Sequence, residues 1–129
     1  MGAEDGARRA RFHYGGLERV IHEKARLGIL TALVSERGGV AFNDLKLLCD
    51  LTDGNLSRHL KTLVEAGLVV AEREEDDGRP QSIYRLSREG RARFLEYLVE
   101  LDRVVADAAP ARSARRSRRP SARPGGAGA

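Results

Sequence analysis

Asp44 to Gly67, DLKLLCDLTDGNLSRHLKTLVEAG, reads as two short helices joined by a tight turn, and the second of them has two faces of opposite character. A helix advances about 100° per residue, so Leu56, Leu60, Leu63 and Val64 share one stripe and are expected to pack inward. Gly54, Asn55, Arg58, Lys61, Thr62 and Glu65 fall on the opposite side, with Ser57 and His59 on the flanks. Thr52 has the hydroxyl an N-cap needs, and Asp53 suits the positive end of the helix dipole. Gly67 suits a left-handed C-cap, so the helix is expected over about 52–66.

Working upstream, Cys49-Asp50-Leu51-Thr52 has the length of the turn in a helix-turn-helix. The helix before it is expected to start at a cap on Asn43 and to be mostly buried through Leu45, Leu47 and Leu48. Val40-Ala41-Phe42 has room for a short strand only, after a Glu36-Arg37-Gly38-Gly39 stop. Leu17 to Ser35 reads as one amphipathic helix, with Val20, Leu27, Leu30 and Val34 near one line and Ile21, Ile29 and Leu33 widening it. Gly28, which costs about 1 kcal/mol relative to Ala in such a place, is read as marking a close helix crossing. His22, among Glu18, Glu23 and Lys24, is read as solvated.

Downstream, Leu68–Arg73 and Gln81–Leu86 are strand-forming, and the charged segment 74–80 between them is turn-forming, which makes a β-hairpin, or wing, over about 69–86. Ser87 caps a last helix running to about Ala108, with Phe94, Leu95, Leu98, Leu101, Val104 and Val105 on a broad apolar stripe. That stripe exceeds what a domain of roughly ninety residues needs for its own core, and a partner subunit would cover the excess. The fold class is mainly α with a small β-hairpin, a winged helix-turn-helix whose long C-terminal helix serves dimerisation.

The organisation expected is a flexible N-terminal arm over 1–16, a folded domain over 17–108 and a disordered Arg-rich tail over 109–129. The chain has 129 residues, 23 Lys+Arg and 19 Asp+Glu, but residues 110–129 hold six Arg and no acid. The rest carries 17 bases against 19 acids, so the net positive charge belongs to the tail and says nothing about the folded part. A single Cys excludes an internal disulfide framework, and no stretch approaches a transmembrane run, so a cytoplasmic protein without membrane contact is expected.

In detail, LTDGNLSRHLKTLVEAGLVVAERE followed by GRPQSIYRLSREG resembles the ArsR/MarR-type bacterial transcriptional regulators, most closely the small stand-alone winged-helix DNA-binding domain proteins. The most specific parts are Asn55-Leu56-Ser57-Arg58-His59-Leu60 with Leu63 and Ala66-Gly67-Leu68-Val69, then Tyr84-Arg85-Leu86-Ser87 with Gly90. The resemblance implies a homodimer built from the first and last helices, binding double-stranded DNA at an inverted-repeat operator and repressing. The expected dimer residues are Val20, Leu27, Phe94, Leu95, Leu98, Leu101, Val104 and Val105.

The expected DNA-binding residues are Thr52, Gly54, Asn55, Ser57, Arg58, His59, Lys61 and Thr62, joined in the wing by Arg73 and Arg79. Arg pairs with guanine O6 and N7, Asn with adenine N6 and N7, and Ser and Lys with phosphate; Gly54 admits a close backbone approach. For His59 packing competes with DNA contact. Five acids, Glu72, Glu74, Glu75, Asp76 and Asp77, stand beside this surface, where they face away from the duplex or weaken the wing's hold on it. Cys49 alone lacks the paired thiolates of a metal sensor and reads as a small apolar residue, so no metal or cofactor is expected. His13, His22 and His59 lie in separate segments without ligand spacing, and no phosphate loop or nucleophile–base pair supports an enzyme. The competing reading is a winged-helix protein–protein module without specific DNA binding, presenting the acidic wing and the apolar last helix.

Overall fold

The computed structural model describes residues 10–118, with side chains through residue 109. Helix α1 spans Lys24–Ser35, strand β1 Val40–Ala41, helix α2 Phe42–Cys49 and helix α3 Asp53–Glu65. Strands β2 (Val69–Asp76) and β3 (Arg79–Leu86) form the hairpin, and helix α4 runs from Arg88 to Arg118. The three antiparallel strands lie in the order β1-β3-β2, with Val40 opposite Tyr84 and the hairpin in register from Val69↔Leu86 to Asp76↔Arg79. The described residues fall into two compact units, 15–98 and a second that joins residues 10–14 with residues 99–118.

Inside Gly15–Leu98 the core is made by one buried stripe from each helix and the base of the sheet. Ile29, Leu30 and Leu33 of α1, Leu45 of α2, Leu56, Leu60 and Leu63 of α3, and Phe94 and Tyr97 of α4 are all buried. At about 1.5–3 kcal/mol per large apolar side chain, this cluster is the main favourable term for the unit. In the second unit, the Tyr14 hydroxyl donates to Asp107 at 2.5 Å and Phe12 packs against the Tyr14 ring at 6.3 Å between centroids. Within the expected arm Tyr14 is thus anchored through its hydroxyl, while Phe12 is exposed; residues 1–9 and 119–129 lie outside the described residues.

Several expectations are corrected. The first helix starts at Lys24 rather than Leu17, because Glu23 leaves helical geometry to cap it, its carboxylate accepting from the Arg26 N–H at 2.9 Å. Residues 18–22 form a separate turn, with the His22 N–H on the Glu18 carbonyl and Arg26 Nε donating to the Val20 carbonyl at 2.7 Å. Val20 and Leu27 therefore do not share one helix, and both are half-buried. His22 is exposed yet anchored, its Nδ1 lying 2.7 Å from the hydroxyl of buried Tyr97.

Asn43 does not cap α2, which begins two residues earlier than that cap would place it, with Ala41 at the N-cap and no side-chain bond there. Only Leu45 of that helix is buried: Leu47 and Leu48 are 77% and 67% exposed, because a helix of this length turns one stripe inward and theirs points out. Gly28 is not required by a close crossing, since an added Cβ would meet only Cys49 Sγ at 3.8 Å, an ordinary contact.

The strands are longer than expected, and the connection shrinks to Asp77-Gly78, both with positive φ (54° and 76°) as a two-residue type I′ turn requires. Pro80 fits inside β3 because β1 pairs only with Ile83 and Tyr84, leaving that edge of β3 open where Pro lacks its donor. The last helix continues through Pro110 to Arg118 instead of ending near Ala108. A proline costs one helical hydrogen bond, and the Ala/Arg run after it favours helix.

Candidate nucleic-acid interface

The turn before α3 fixes where the helix points. Asp50 closes α2 in the left-handed region, φ 55°, a conformation Asp tolerates better than most residues, and the Leu51 N–H then reaches the Lys46 carbonyl at 3.1 Å. Thr52 caps α3 as expected, its Oγ1 accepting from the Asn55 N–H at 3.2 Å. Lys46 reaches across from α2 to Asp53 at 2.9 Å, so the acid at the helix start is partly neutralised before any ligand arrives.

The far end is held as firmly. The Gly67 N–H bonds the Val64 carbonyl and the Leu68 N–H bonds the Leu63 carbonyl, both at 3.0 Å, with Gly67 at φ 80°: a Schellman closure. The Ser87 hydroxyl donates to the Gly67 carbonyl at 2.6 Å and accepts from the Gly90 N–H at 2.8 Å, capping α4 on the turn that ends α3. Arg93 completes the brace: its guanidinium donates to Glu18 at 2.6 Å and 3.3 Å, to Glu89 at 3.2 Å and to the Ala66 carbonyl at 3.1 Å. Lys46 and Arg93 are positioning residues that pattern reading missed, because nothing in the local sequence announces a partner on another element.

The two faces of α3 separate much as expected, with an exchange on the inward side. Leu56, Leu60 and Leu63 are buried, but Val64 is exposed, lining a groove toward the hairpin, and His59 is buried at 6% exposure in its place. His59 Nδ1 lies 3.2 Å from the Arg26 guanidinium and 3.9 Å from the Glu23 carboxylate. Burial holds its pKa below the ordinary value, opposed by Glu23 and aided by Arg58 and Arg26. His59 is therefore removed from the DNA-binding set: its i+3, i+4 spacing from Leu56 and to Leu63 puts it in the packed stripe.

Gly54, Asn55, Ser57, Arg58 and Lys61 are exposed together on the outer face. Arg58 Nη2 donates to Asn55 Oδ1 at 3.2 Å, and the Arg58 carbonyl accepts the Thr62 hydroxyl at 3.2 Å, leaving Thr62 half-buried and locally satisfied. No added Cβ at Gly54 would meet anything within 4 Å, so the backbone there is open to close approach.

Register sorts the wing acids. Opposed residues of an antiparallel pair share a face, and faces alternate along each strand. Ala71 and Tyr84, an opposed pair, line the groove of about 340 Å³ with Ser57, Lys61 and Val64 of α3. Arg73 and Glu75 share that face, with Arg73 donating to the Ser82 hydroxyl at 3.1 Å. Glu72, Glu74 and Asp76 lie on the reverse face, with Arg79 at the tip beside them. Glu72 is also paired, 2.8 Å from the Arg85 guanidinium, which holds its carboxyl below the usual range.

The apolar stripe of α4 also divides. Phe94, expected at a dimer interface, is 1% exposed and stacks on Tyr97 with ring centroids 6.0 Å apart, so it belongs to the unit's own core. Leu98, Leu101 and Val104 are half-buried, while Leu95 and Val105 are exposed together with Val99, which the pattern missed. Cys49 is half-buried and its thiol is pushed up by burial. Among the described residues no group of three or more His, Cys, Asp or Glu could hold a metal ion, and no helix is long and apolar enough to cross a membrane.

A capped, braced helix with an open polar face, followed by a two-stranded wing, defines a winged helix-turn-helix. Residues 25–105, well over half of the chain, match the family model described as "Winged helix DNA-binding domain", and the chain belongs to that family. It is 42% identical over 60 residues to an uncharacterized protein of Methanocaldococcus jannaschii, a match covering 46% of this chain and 65% of the relative, somewhat under two thirds of its length. Among solved structures, a transcriptional regulator homologue from Pyrococcus horikoshii aligns with a TM-score of 0.65 at 28% identity, covering 70% of this chain and 88% of the other. A MarR-family regulator from Enterococcus faecalis shares the fold, with a TM-score of 0.58 at 24% identity over 70% of this chain and 83% of that one. Fold and family are those of DNA-binding transcriptional regulators rather than of enzymes.

Proposed function

We propose that the chain acts as a homodimeric regulator that binds an inverted-repeat operator in double-stranded DNA and represses transcription. The observation that carries this reading is the outer face of α3, where Asn55, Ser57, Arg58 and Lys61 stand exposed on a helix fixed at both ends. Arg58 supplies a bidentate donor for guanine, and Ser57 and Lys61 supply phosphate contacts. Leu95, Val99 and Val105 stand exposed on α4 and offer apolar surface that a second copy of the chain would cover. In a two-fold dimer the recognition helices enter successive major grooves about 34 Å apart.

The test is selection from a randomised duplex pool, followed by binding of the enriched sites. Enrichment of an inverted repeat with half-sites about one helical turn apart supports the reading. Enrichment of nothing, in protein that still binds DNA weakly at low salt, refutes it. Exposed Leu47 and Leu48 on α2 favour the protein–protein module as a second reading. That module predicts no gel shift at low salt once residues 110–129 are removed.

A further inference from the structure

The outer face of α3 carries a ladder in which each polar group holds the next: Thr52 Oγ1 takes the Asn55 N–H, Asn55 Oδ1 takes an Arg58 N–H, and the Arg58 carbonyl takes the Thr62 hydroxyl. Arginine has only donors, so the Asn55 atom facing it is the carbonyl oxygen, and the amide orientation follows from the chemistry of the pair. We propose that Asn55 is a positioning residue that presents the Arg58 guanidinium to a guanine, and does not itself read adenine.

Reading adenine requires the Asn oxygen to accept from N6–H while its nitrogen donates to N7, both in the plane of the base. Here that oxygen already accepts from a cationic donor at 3.2 Å. An incoming N6 amino group would place a second donor on the same oxygen, beside the guanidinium. Guanine presents the opposite pattern, two acceptors at O6 and N7, and meets the free edge of a guanidinium whose other edge is tied to Asn55. Holding the long Arg58 side chain before binding reduces the rotamer freedom lost at the interface. Nothing else among the described hydrogen bonds engages the Arg58 side chain, so Asn55 is the residue that sets its direction.

The inference rests on the DNA-binding reading above, and the test separates the two. The full-length protein and its Asn55→Asp, Asn55→Ala and Arg58→Ala variants are each taken through selection on a randomised duplex pool and titrated against single-base variants of the enriched half-site. Aspartate keeps the acceptor for Arg58 but cannot donate to adenine N7. Its added charge lowers affinity for every sequence alike, which leaves the preference ratio as the readout.

Arg58→Ala is expected to lower the preference for one G·C pair by about tenfold or more. Asn55→Ala should lower the preference at that same pair by about threefold, and Asn55→Asp should hold it within about twofold of the wild type. Loss of an adenine preference at a different position in either Asn55 variant overturns the inference and leaves the DNA-binding reading intact. An unchanged guanine preference in Asn55→Ala overturns it likewise. Wild-type protein that selects no sequence removes both. Asn55 is exposed, so melting curves of the variants are expected to overlay that of the wild type.

Discussion

Replacing Gly90 by Ala tests how α3 and α4 are held together. Gly90 lies in the first turn of α4, where its N–H bonds the Ser87 hydroxyl. A Cβ built there would fall on the Leu68 carbonyl group, 2.7 Å from its carbon and 2.9 Å from the Leu68 Cα, with the oxygen closer still. Carbon atoms rest at about 3.5–4.0 Å, so α4 would have to withdraw by roughly 1 Å from the turn that ends the recognition helix. The obstacle is backbone and cannot rotate aside. Overpacking of this kind costs about 1–3 kcal/mol, more when backbone must move, and the better helix propensity of Ala returns at most about 1 kcal/mol. A net loss of about 2 kcal/mol lowers Tm by roughly 8–16 °C in a domain of this size. Thermal unfolding followed by circular dichroism reads it directly. Gly54→Ala is the control: its Cβ meets nothing within 4 Å, so Tm should stay level or rise by a few degrees through the unfolded-state entropy term. A Gly90→Ala protein that melts at or above the wild type would refute the assigned close approach.

Other expectations follow from the same geometry. Thr52→Ala removes the acceptor for the Asn55 N–H and should cost about 1 kcal/mol, read as a shift in urea midpoint at constant slope. The His59 pKa is held down by burial, so the unfolded chain binds its proton more readily than the folded one. Stability should fall as pH drops below the ordinary His value of about 6.5, and His59→Gln should flatten that part of the profile; an identical slope in both proteins would exclude His59 as its source. Glu75 shares the sheet face of the recognition helix and Glu74 does not. Glu75→Gln should therefore tighten DNA binding at low salt more than Glu74→Gln, and equal effects would mean that the wing meets the duplex otherwise than its register indicates.

How much of this was legible in the sequence depended on the range of the interaction concerned. The caps on Thr52, Gly67 and Ser87 were readable because each closes a bond within a few residues, as was the buried stripe through Leu56, Leu60 and Leu63, which depends only on helical periodicity. The existence of the hairpin was readable from two β-rich segments flanking a turn; its true turn, Asp77-Gly78, was hidden among charged residues that also pair well across strands. Leu47, Leu48 and Val64 were misplaced because hydrophobicity alone does not say which stripe of a short helix meets a neighbour.

The order of elements, the polar face of α3 and the confinement of the excess positive charge to the tail all follow from pattern and composition, without reference to any distant partner. Tertiary structure alone decided that His59 turns inward against Arg26 and Glu23, that Phe94 belongs to the core, and that Lys46 and Arg93 hold the two ends of the recognition helix. It also sorted the wing acids onto two faces through a register that no single strand encodes. Each of these depends on partners distant in sequence, and their positions exist only once the chain has closed around its core.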